Sequence, residues 1–382
     1  MAILTDLGAL VWGYIIPFLF VLTIVVFFHE LGHFLIARLC GVKVAAFSVG
    51  FGRELVGFND RQGTRWKISL IPLGGYVKFV GDDNAASVPD RAAVEAMSEE
   101  ERRGSFMGKS VGQRAAVVAA GPFANFILAI VIFAALFSIY GRSYSVPRVD
   151  AVHEQSAALE AGFMPGDVVL SVDGEKIQSF GDLQRIVSIS ADIPLAITVE
   201  RDGKEVDLVA TPKRREITDR FGNVQKIGLL GLSQNTQPDD RYTVSFGPLE
   251  AVGEGARETW HVISRTGIFV AGIFSGREDA DQLGGPIRVA QYSGQVATLG
   301  LAALMNLAAV LSVSIGLINL MPVPMLDGGH LLFYAYEATV GRPLPDKVQD
   351  VGFRIGLALV FMLMIFATFN DVKSLVGVDV GW

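Results

Sequence analysis

Phe28-His29-Glu30-Leu31-Gly32-His33 is the stretch on which the reading of this chain turns. It spells H-E-x-x-H inside an apolar run from about Leu10 to Leu39. On a helix, His29 and His33 are four residues apart and share one face. Two imidazoles so placed can bind one Zn²⁺, and Glu30 beside them can hold and deprotonate a metal-bound water. Two histidines and a glutamate at membrane depth are costly unless partnered, so such groups are functional by default. The plainer reading is a polar knot that only packs helices together.

Composition points to a polytopic α-helical membrane protein. The chain has 382 residues, of which 51% are hydrophobic and 19% charged, with a mean hydropathy of +0.43. That is too apolar for one soluble domain and too charged to lie wholly in lipid. The net charge of −7 and the pI near 5.3 argue against nucleic acid as a partner. A single cysteine, Cys40, excludes an internal disulfide and a thiolate zinc cluster. Histidine and carboxylate are left as metal ligands. Asp6 is the only charged residue before Glu30, so the first run reads as a retained transmembrane helix and not as a signal peptide, with Pro17 a possible kink.

Three further runs approach the ~20 apolar residues that a span needs. They cover about Ala115–Tyr140, Leu299–Leu320 and Val351–Phe369. The expected division is a first span in 1–40, a loop in 41–114, a second span in 115–140 and a small domain in 146–213. A linker with amphipathic helices follows in 214–298, then a third span with its irregular end in 299–330, a loop in 331–350, a fourth span in 351–370 and a tail in 371–382. Lys and Arg near the span ends number ten in the 38–114 and 321–354 stretches against four (Arg142, Arg148, Arg288, Lys373) on the other side. That asymmetry puts both loops in the cytoplasm and both termini in the periplasm of a bacterial inner membrane, with His29 nearer the cytoplasmic face.

The first loop carries Gly50-Phe51-Gly52 and then Arg65 to Phe79, read as two short strands around a Pro72-Leu73-Gly74-Gly75 turn. Its apolar tip can dip into the bilayer where protein covers its edges. An exposed edge here can hold an extended substrate by strand addition, for which Ile68, Ser69, Leu70, Gly74, Gly75 and Tyr76 are the candidates. Residues 82–110 are polar, with Asp82-Asp83 and Glu99-Glu100-Glu101, and read as a linker and a surface helix.

The second span opens Ala120-Gly121-Pro122-Phe123-Ala124-Asn125, where Asn125 is read as an interhelical hydrogen-bonding residue. Beyond it, Val149–Val152 reads as a strand, Ala157–Gly162 as a short helix, and Asp182 as the cap of a helix reaching about Ser188. With Ala161-Gly162 and Gly166-Asp167, this stretch resembles a bacterial PDZ domain, which implies a groove for extended peptides. Residues 213–245 are polar and read as a hairpin or linker; 248–275 read as one or two amphipathic helices on the outer membrane surface.

The third span ends in Asn319-Leu320-Met321-Pro322-Val323-Pro324-Met325-Leu326-Asp327-Gly328-Gly329-His330. Two prolines one residue apart cannot continue a helix, so the chain unwinds near the depth of His29. Asp327 then sits on irregular backbone able to reach the metal, and two His with one Asp make an open catalytic zinc site. His330 is the rival ligand; it begins the next helix. Asn319 can bond the substrate backbone or a developing oxyanion.

Taken in order, H-E-L-G-H, G-F-G, P-L-G-G-Y, A-G-P-x-x-N, one PDZ-like module and N-L-x-P-x-P-x-L-D-G-G-H resemble the site-2 protease family of intramembrane zinc metalloproteases. The resemblance implies that His29, His33 and Asp327 are ligands, Glu30 the base and Asn319 a substrate-positioning residue. It implies single-span membrane proteins as substrates, such as anti-sigma factors and signal-peptide remnants. The chain departs from the best-known members in having one recognisable PDZ-like module where they have two. A metal-binding membrane adaptor or transporter that recruits partners through that module is the competing reading.

Overall fold

A computed structural model describes residues 11–81, 97–218, 224–235, 241–276, 280 and 283–376. Asp6, Asp82, Asp83, Asp219, Asp239, Asp240, most of the expected 82–110 linker and the end of the tail lie outside the described residues. In chain order the main elements begin with α1 (Val11–Leu39), β1 (Val44–Asn59), β2 (Arg65–Phe79) and α2 (Val111–Tyr140). There follow β3 (Val168–Val172), β4 (Glu175–Lys176), α3 (Phe180–Ile189), β5 (Leu195–Arg201) and β6 (Lys204–Ala210). The chain then forms α4 (Pro248–Phe274), α5 (Pro286–Ala297), α6 (Leu301–Asn319), α7 (Asp327–Val340) and α8 (Asp346–Val376). Four helices among the described residues, α1, α2, α6 and most of α8, are long and apolar enough to cross a membrane. The second begins four residues before the expected Ala115 and the fourth five before Val351, because the polar turns that precede the apolar runs continue the same helices.

The chain divides into two compact units, Met1–Ala134 with Val252–Ile263 and Leu283–Trp382, and Ala135–Ala251 with Ser264–Gln282. In the first unit, small residues let α1 and α2 touch. A Cβ on Gly32 would lie 2.3 Å from the Ala120 carbonyl oxygen, so only glycine permits this approach. The 248–274 segment is a single helix, with Gly255 against Ile130 and Ala134 of α2, while Leu249 and Trp260 stay exposed at 87% and 65%. Elsewhere in the unit, the buried Asp371 carboxylate of α8 accepts the N–H groups of Gly285, Ile287 and Arg288 at 2.8, 3.0 and 3.0 Å, capping α5.

Between α1 and α2, β1 and β2 fold on each other twice. Residues 44–49 pair with 75–79, and 54–59 with 65–69. A third pairing joins the halves, with Ala46 opposite Arg65, Phe47 opposite Trp66, Ser48 opposite Lys67 and Val49 opposite Ile68. The arms therefore lie in the order 54–59, 65–69, 44–49, 75–79. Phe47 stacks on Trp66 at 4.4 Å and meets Phe34 of α1 at 5.6 Å, which fastens the sheet to the first span. One expectation is met here and one is corrected. The chain reverses between 69 and 75, where the Pro72–Gly75 turn is expected, since 65–69 runs parallel to 44–49 and 75–79 antiparallel to it; Gly74 takes φ +147 in this reversal. It also reverses at 60–64, where Asp60 Oδ1 accepts from Gln62 N–H and Thr64 N–H at 2.9 and 3.0 Å. Ile68 and Ser69, expected at an exposed edge, lie in an inner arm paired on both sides, so their strand edge is taken, whereas Gly75 and Tyr76 lie in an outermost arm.

In the second unit, β3 to β6 form a sheet in the order β4-β3-β5-β6. Val169, Val172, Leu183, Leu195, Ile197 and Val199 form its core, alternating along the strands as a half-buried sheet requires. Ser179, and not Asp182, caps α3: its Oγ accepts the Asp182 N–H at 3.1 Å, since the side-chain oxygen must sit before the first turn to reach it. Residues 213–218 pair with 224–229 as a hairpin.

Candidate metal centre

His29 and His33 leave α1 on the face turned toward α2, α6 and the start of α7, and their Nε2 atoms lie 3.2 Å apart. Asp327 Oδ2 lies 3.2 Å from His29 Nε2 and 3.6 Å from His33 Nε2. Ligands about 2.0–2.1 Å from a tetrahedral centre stand about 3.3–3.4 Å from one another. The three atoms therefore form the base that a tetrahedral cation requires. Asp327 Oδ2 is buried and has no hydrogen bond of acceptable geometry. A buried carboxylate oxygen left so is a site waiting for a positive charge. Two imidazoles and one carboxylate, with no thiolate, are a donor set that zinc accepts.

The backbone explains how Asp327 arrives. α6 stops at Asn319, and Pro322 and Pro324 occupy the loop that follows. Met325 takes φ +93, a conformation that L side chains avoid. A Cβ on Gly328 would meet the Leu320 carbonyl oxygen at 2.2 Å, and one on Gly329 the Val323 carbonyl oxygen at 2.3 Å. The two glycines thus let the loop fold back on the first turn of α7, which presents Asp327. His330, the rival ligand, is outside the three-residue cluster; its ring packs toward Phe353 at 5.4 Å.

Glu30 faces the same cavity, of about 570 Å³, as the triangle and Asn319. Gly75, Tyr76 and Val77 line it from the outermost arm of the sheet, and the Val77 N–H donates to the Glu30 carboxylate. A Cβ on Gly75 would come within 3.2 Å of Glu30 Cγ, so the strand runs close against the glutamate. Of the six strand-addition candidates, Gly75 and Tyr76 reach the cavity. Leu70 carries an exposed side chain at the reversal.

Some parts of the site carried little signal in the sequence. His33 Nδ1 donates to the Val117 carbonyl oxygen at 2.9 Å, in the turn that Pro122 weakens by supplying no N–H. A carbonyl cannot donate, so this bond leaves His33 Nε2 with its lone pair free. A Cβ on Gly121 would lie 2.2 Å from His33 Nε2 and 2.9 Å from His29 Cε1. The Gly-Pro pair inside a span was the visible hint. Asn125, fully buried, reaches His29 Nδ1 at 3.2 Å and so touches a candidate ligand. At the cavity wall, Arg114 and Glu337 form a buried ion pair at 2.6 Å, with the guanidinium over the Tyr334 ring.

Residues 17–363 match the description Peptidase family M50. The chain belongs to peptidase family M50. It is 55% identical over 365 residues to a protein of Agrobacterium fabrum named "Putative zinc metalloprotease", a match covering 96% of this chain and 97% of that one. A protein of the same description from Rhizobium meliloti is 53% identical over 365 residues, covering 95% and 98%. The Caulobacter vibrioides metalloprotease MmpA is 42% identical over 381 residues, covering 94% and 95%. The M50 chain is thus a zinc metalloprotease and a multi-pass membrane protein of the site-2 protease family. Zinc is the metal for which the His29–His33–Asp327 triangle is the candidate site.

Proposed function

We propose that this M50 protease hydrolyses peptide bonds within or near the transmembrane segments of single-span membrane proteins. In this reading His29, His33 and Asp327 hold the zinc, and Glu30 is the acid–base group. One observation carries it: an unsatisfied ligand triangle, Glu30 and an outermost strand share one cavity among helices apolar enough to span.

Bound zinc supplies a Lewis acid and brings the pKa of its water toward ~7. Glu30 takes the proton of the attacking water on its carboxylate and passes it to the leaving amine. The Val77 N–H keeps that carboxylate beside the triangle. Asn319, at the end of α6, donates from its carboxamide to the substrate backbone or the developing oxyanion. A transmembrane substrate must first lose its helical hydrogen bonds, and replacements come from the arm at 75–79 by strand addition at Gly75 and Tyr76. Exposed Leu70, Ile71 and Leu73 at the reversal within β2 suit contact with lipid.

The ten-to-four distribution of Lys and Arg supports a cytoplasmic placement of 41–114 and 331–350, periplasmic termini and a site toward the cytoplasmic face of the bacterial inner membrane. The 146–213 module is a PDZ-type domain that takes an extended peptide; its antiparallel sheet, and Gly162 and Gly166 at φ +87 and +97, support this. Anti-sigma-factor-like proteins and signal-peptide remnants are the substrate classes.

The test is a single-span reporter incubated in bilayers with the purified full chain. The expected result is cutting in or beside the reporter's span, stopped by a chelator and absent with Glu30→Gln. Cutting that survives Glu30→Gln contradicts the assigned base, and an intact reporter contradicts the substrate class.

A further inference from the structure

The two histidines of the triangle are not supported alike. Each presents Nε2 to the common centre, so each must keep its proton on Nδ1 to be a neutral ligand. His33 has a fixed acceptor for that proton in the Val117 carbonyl oxygen. His29 instead meets the side chain of Asn125, on the second span.

Asn125 is wholly buried and locked from behind. Its backbone oxygen accepts the Ser312 hydroxyl at 2.9 Å, and Gly316 leaves the space that its Cβ occupies. Only the carboxamide is free to choose, by a half-turn about its last side-chain bond. Nδ2 stands 3.2 Å from His29 Nδ1, and Oδ1 is buried without a hydrogen-bond partner. With the proton on Nδ1, that orientation sets donor against donor. The half-turn exchanges two groups of nearly equal size and sets Oδ1 against the Nδ1–H. The acceptor otherwise left idle is then used.

We infer that Asn125 is the positioning residue of the His29 arm: its carboxamide oxygen accepts the Nδ1–H of His29 and holds the imidazole in the tautomer whose Nε2 binds zinc. Asn125 does for His29 what Val117 does for His33, with a side chain where the other uses backbone. This rests on the reading that the triangle holds zinc. It also gives the A-G-P-x-x-N stretch two duties: Gly121 makes room for both rings, and Asn125, one helical turn later, orients one of them.

The experiment is a zinc titration of the full chain in detergent micelles against a competing chromophoric chelator, alongside thermal unfolding of the zinc-free protein. Asn125→Leu, which keeps bulk and loses the acceptor, is expected to weaken zinc binding about 10- to 100-fold while the zinc-free unfolding midpoint stays put. Asn125→Asp, which keeps an acceptor oxygen, is expected to bind within about threefold of the native chain, since carboxylates support metal-bound histidines in the same way. Native affinity in Asn125→Leu overturns the inference, as does an Asn125→Asp as weak as Asn125→Leu. If Asn125→Leu does not fold, Asn125→Ala is expected to show the same loss, and failure of both to fold without zinc makes Asn125 a structural pin and overturns it too. A native chain that binds no zinc, or binds it equally after His33→Ala, removes the underlying metal reading, which is a separate failure.

Discussion

Two aspartates with buried carboxylate oxygens, one in each unit, show how a carboxylate completed by its own chain differs from one that is not. Asp167, wholly buried in the inserted module, accepts Nε and Nη2 of Arg201 at 2.7 and 2.8 Å and the Met164 N–H at 2.9 Å. Its own chain completes it. Asp327, near the spans, has a buried oxygen with no proper hydrogen bond and two imidazole nitrogens facing it. Its chain has brought three donor atoms within reach of one centre, and a cation shared by them would satisfy the oxygen that the chain does not. Asp371, with three backbone N–H donors, belongs with Asp167.

The largest effects should follow from breaking the incomplete set. Asp327→Asn is expected to abolish stoichiometric zinc after dialysis and to bring reporter cleavage to background, while the zinc-free protein unfolds at the native temperature or slightly above it. A marked loss of zinc-free stability would make Asp327 a structural residue like Asp167. Glu30→Gln separates chemistry from binding: zinc content should stay native while cleavage falls by about 10²–10⁴-fold, the usual worth of a general acid–base group.

The same contrast explains what was legible in the sequence. His29, Glu30 and His33 sit on regular helix, where spacing alone determines which side chains meet, so the motif could be read directly. Asp327 was legible for the opposite reason: two prolines announce that the helix stops, and an acidic residue at that depth needs a use. The partners of these residues were less legible. Val117 and Val77 act through backbone atoms that any residue type provides, and nothing in the letters marks them. The sheet was misread in one respect. The Pro72-Leu73-Gly74-Gly75 turn was legible from its composition, but the pairing of 65–69 with both 54–59 and 44–49, which takes up the strand edge at Ile68 and Ser69, runs through backbone atoms that no residue type announces.

A smaller effect tests the packing around the triangle without touching a ligand. Gly121→Ala places a methyl 2.2 Å from His33 Nε2 and 2.9 Å from His29 Cε1, so both rings must turn away. Displacement of about an ångström at a reacting centre costs on the order of 10²-fold in rate. Cleavage should fall by about that factor, and zinc affinity should drop with it. Native cleavage by Gly121→Ala would show that the rings have slack, and that the ligand separations are looser than a tetrahedral centre permits.

The smallest effect concerns the completed aspartate and is visible only in acid. Burial alone would raise the Asp167 carboxyl, but the Arg201 guanidinium and the Met164 N–H together hold it below the usual carboxylate range. A pKa lower in the folded than in the unfolded chain stabilises the fold fully above the unfolded value of ~3.9, and that stabilisation fades as pH falls through the folded value. Arg201→Met removes the guanidinium and leaves burial dominant, so Asp167 takes up its proton earlier as the solution is acidified. Hydrogen exchange of residues 168–172 in the full chain should therefore lose protection at a higher pH in Arg201→Met than in the native protein, with zinc content at neutral pH unchanged. Superimposable acid profiles would mean that Arg201 does not govern Asp167, and a buried carboxylate with several donors could then no longer be taken as finished by them.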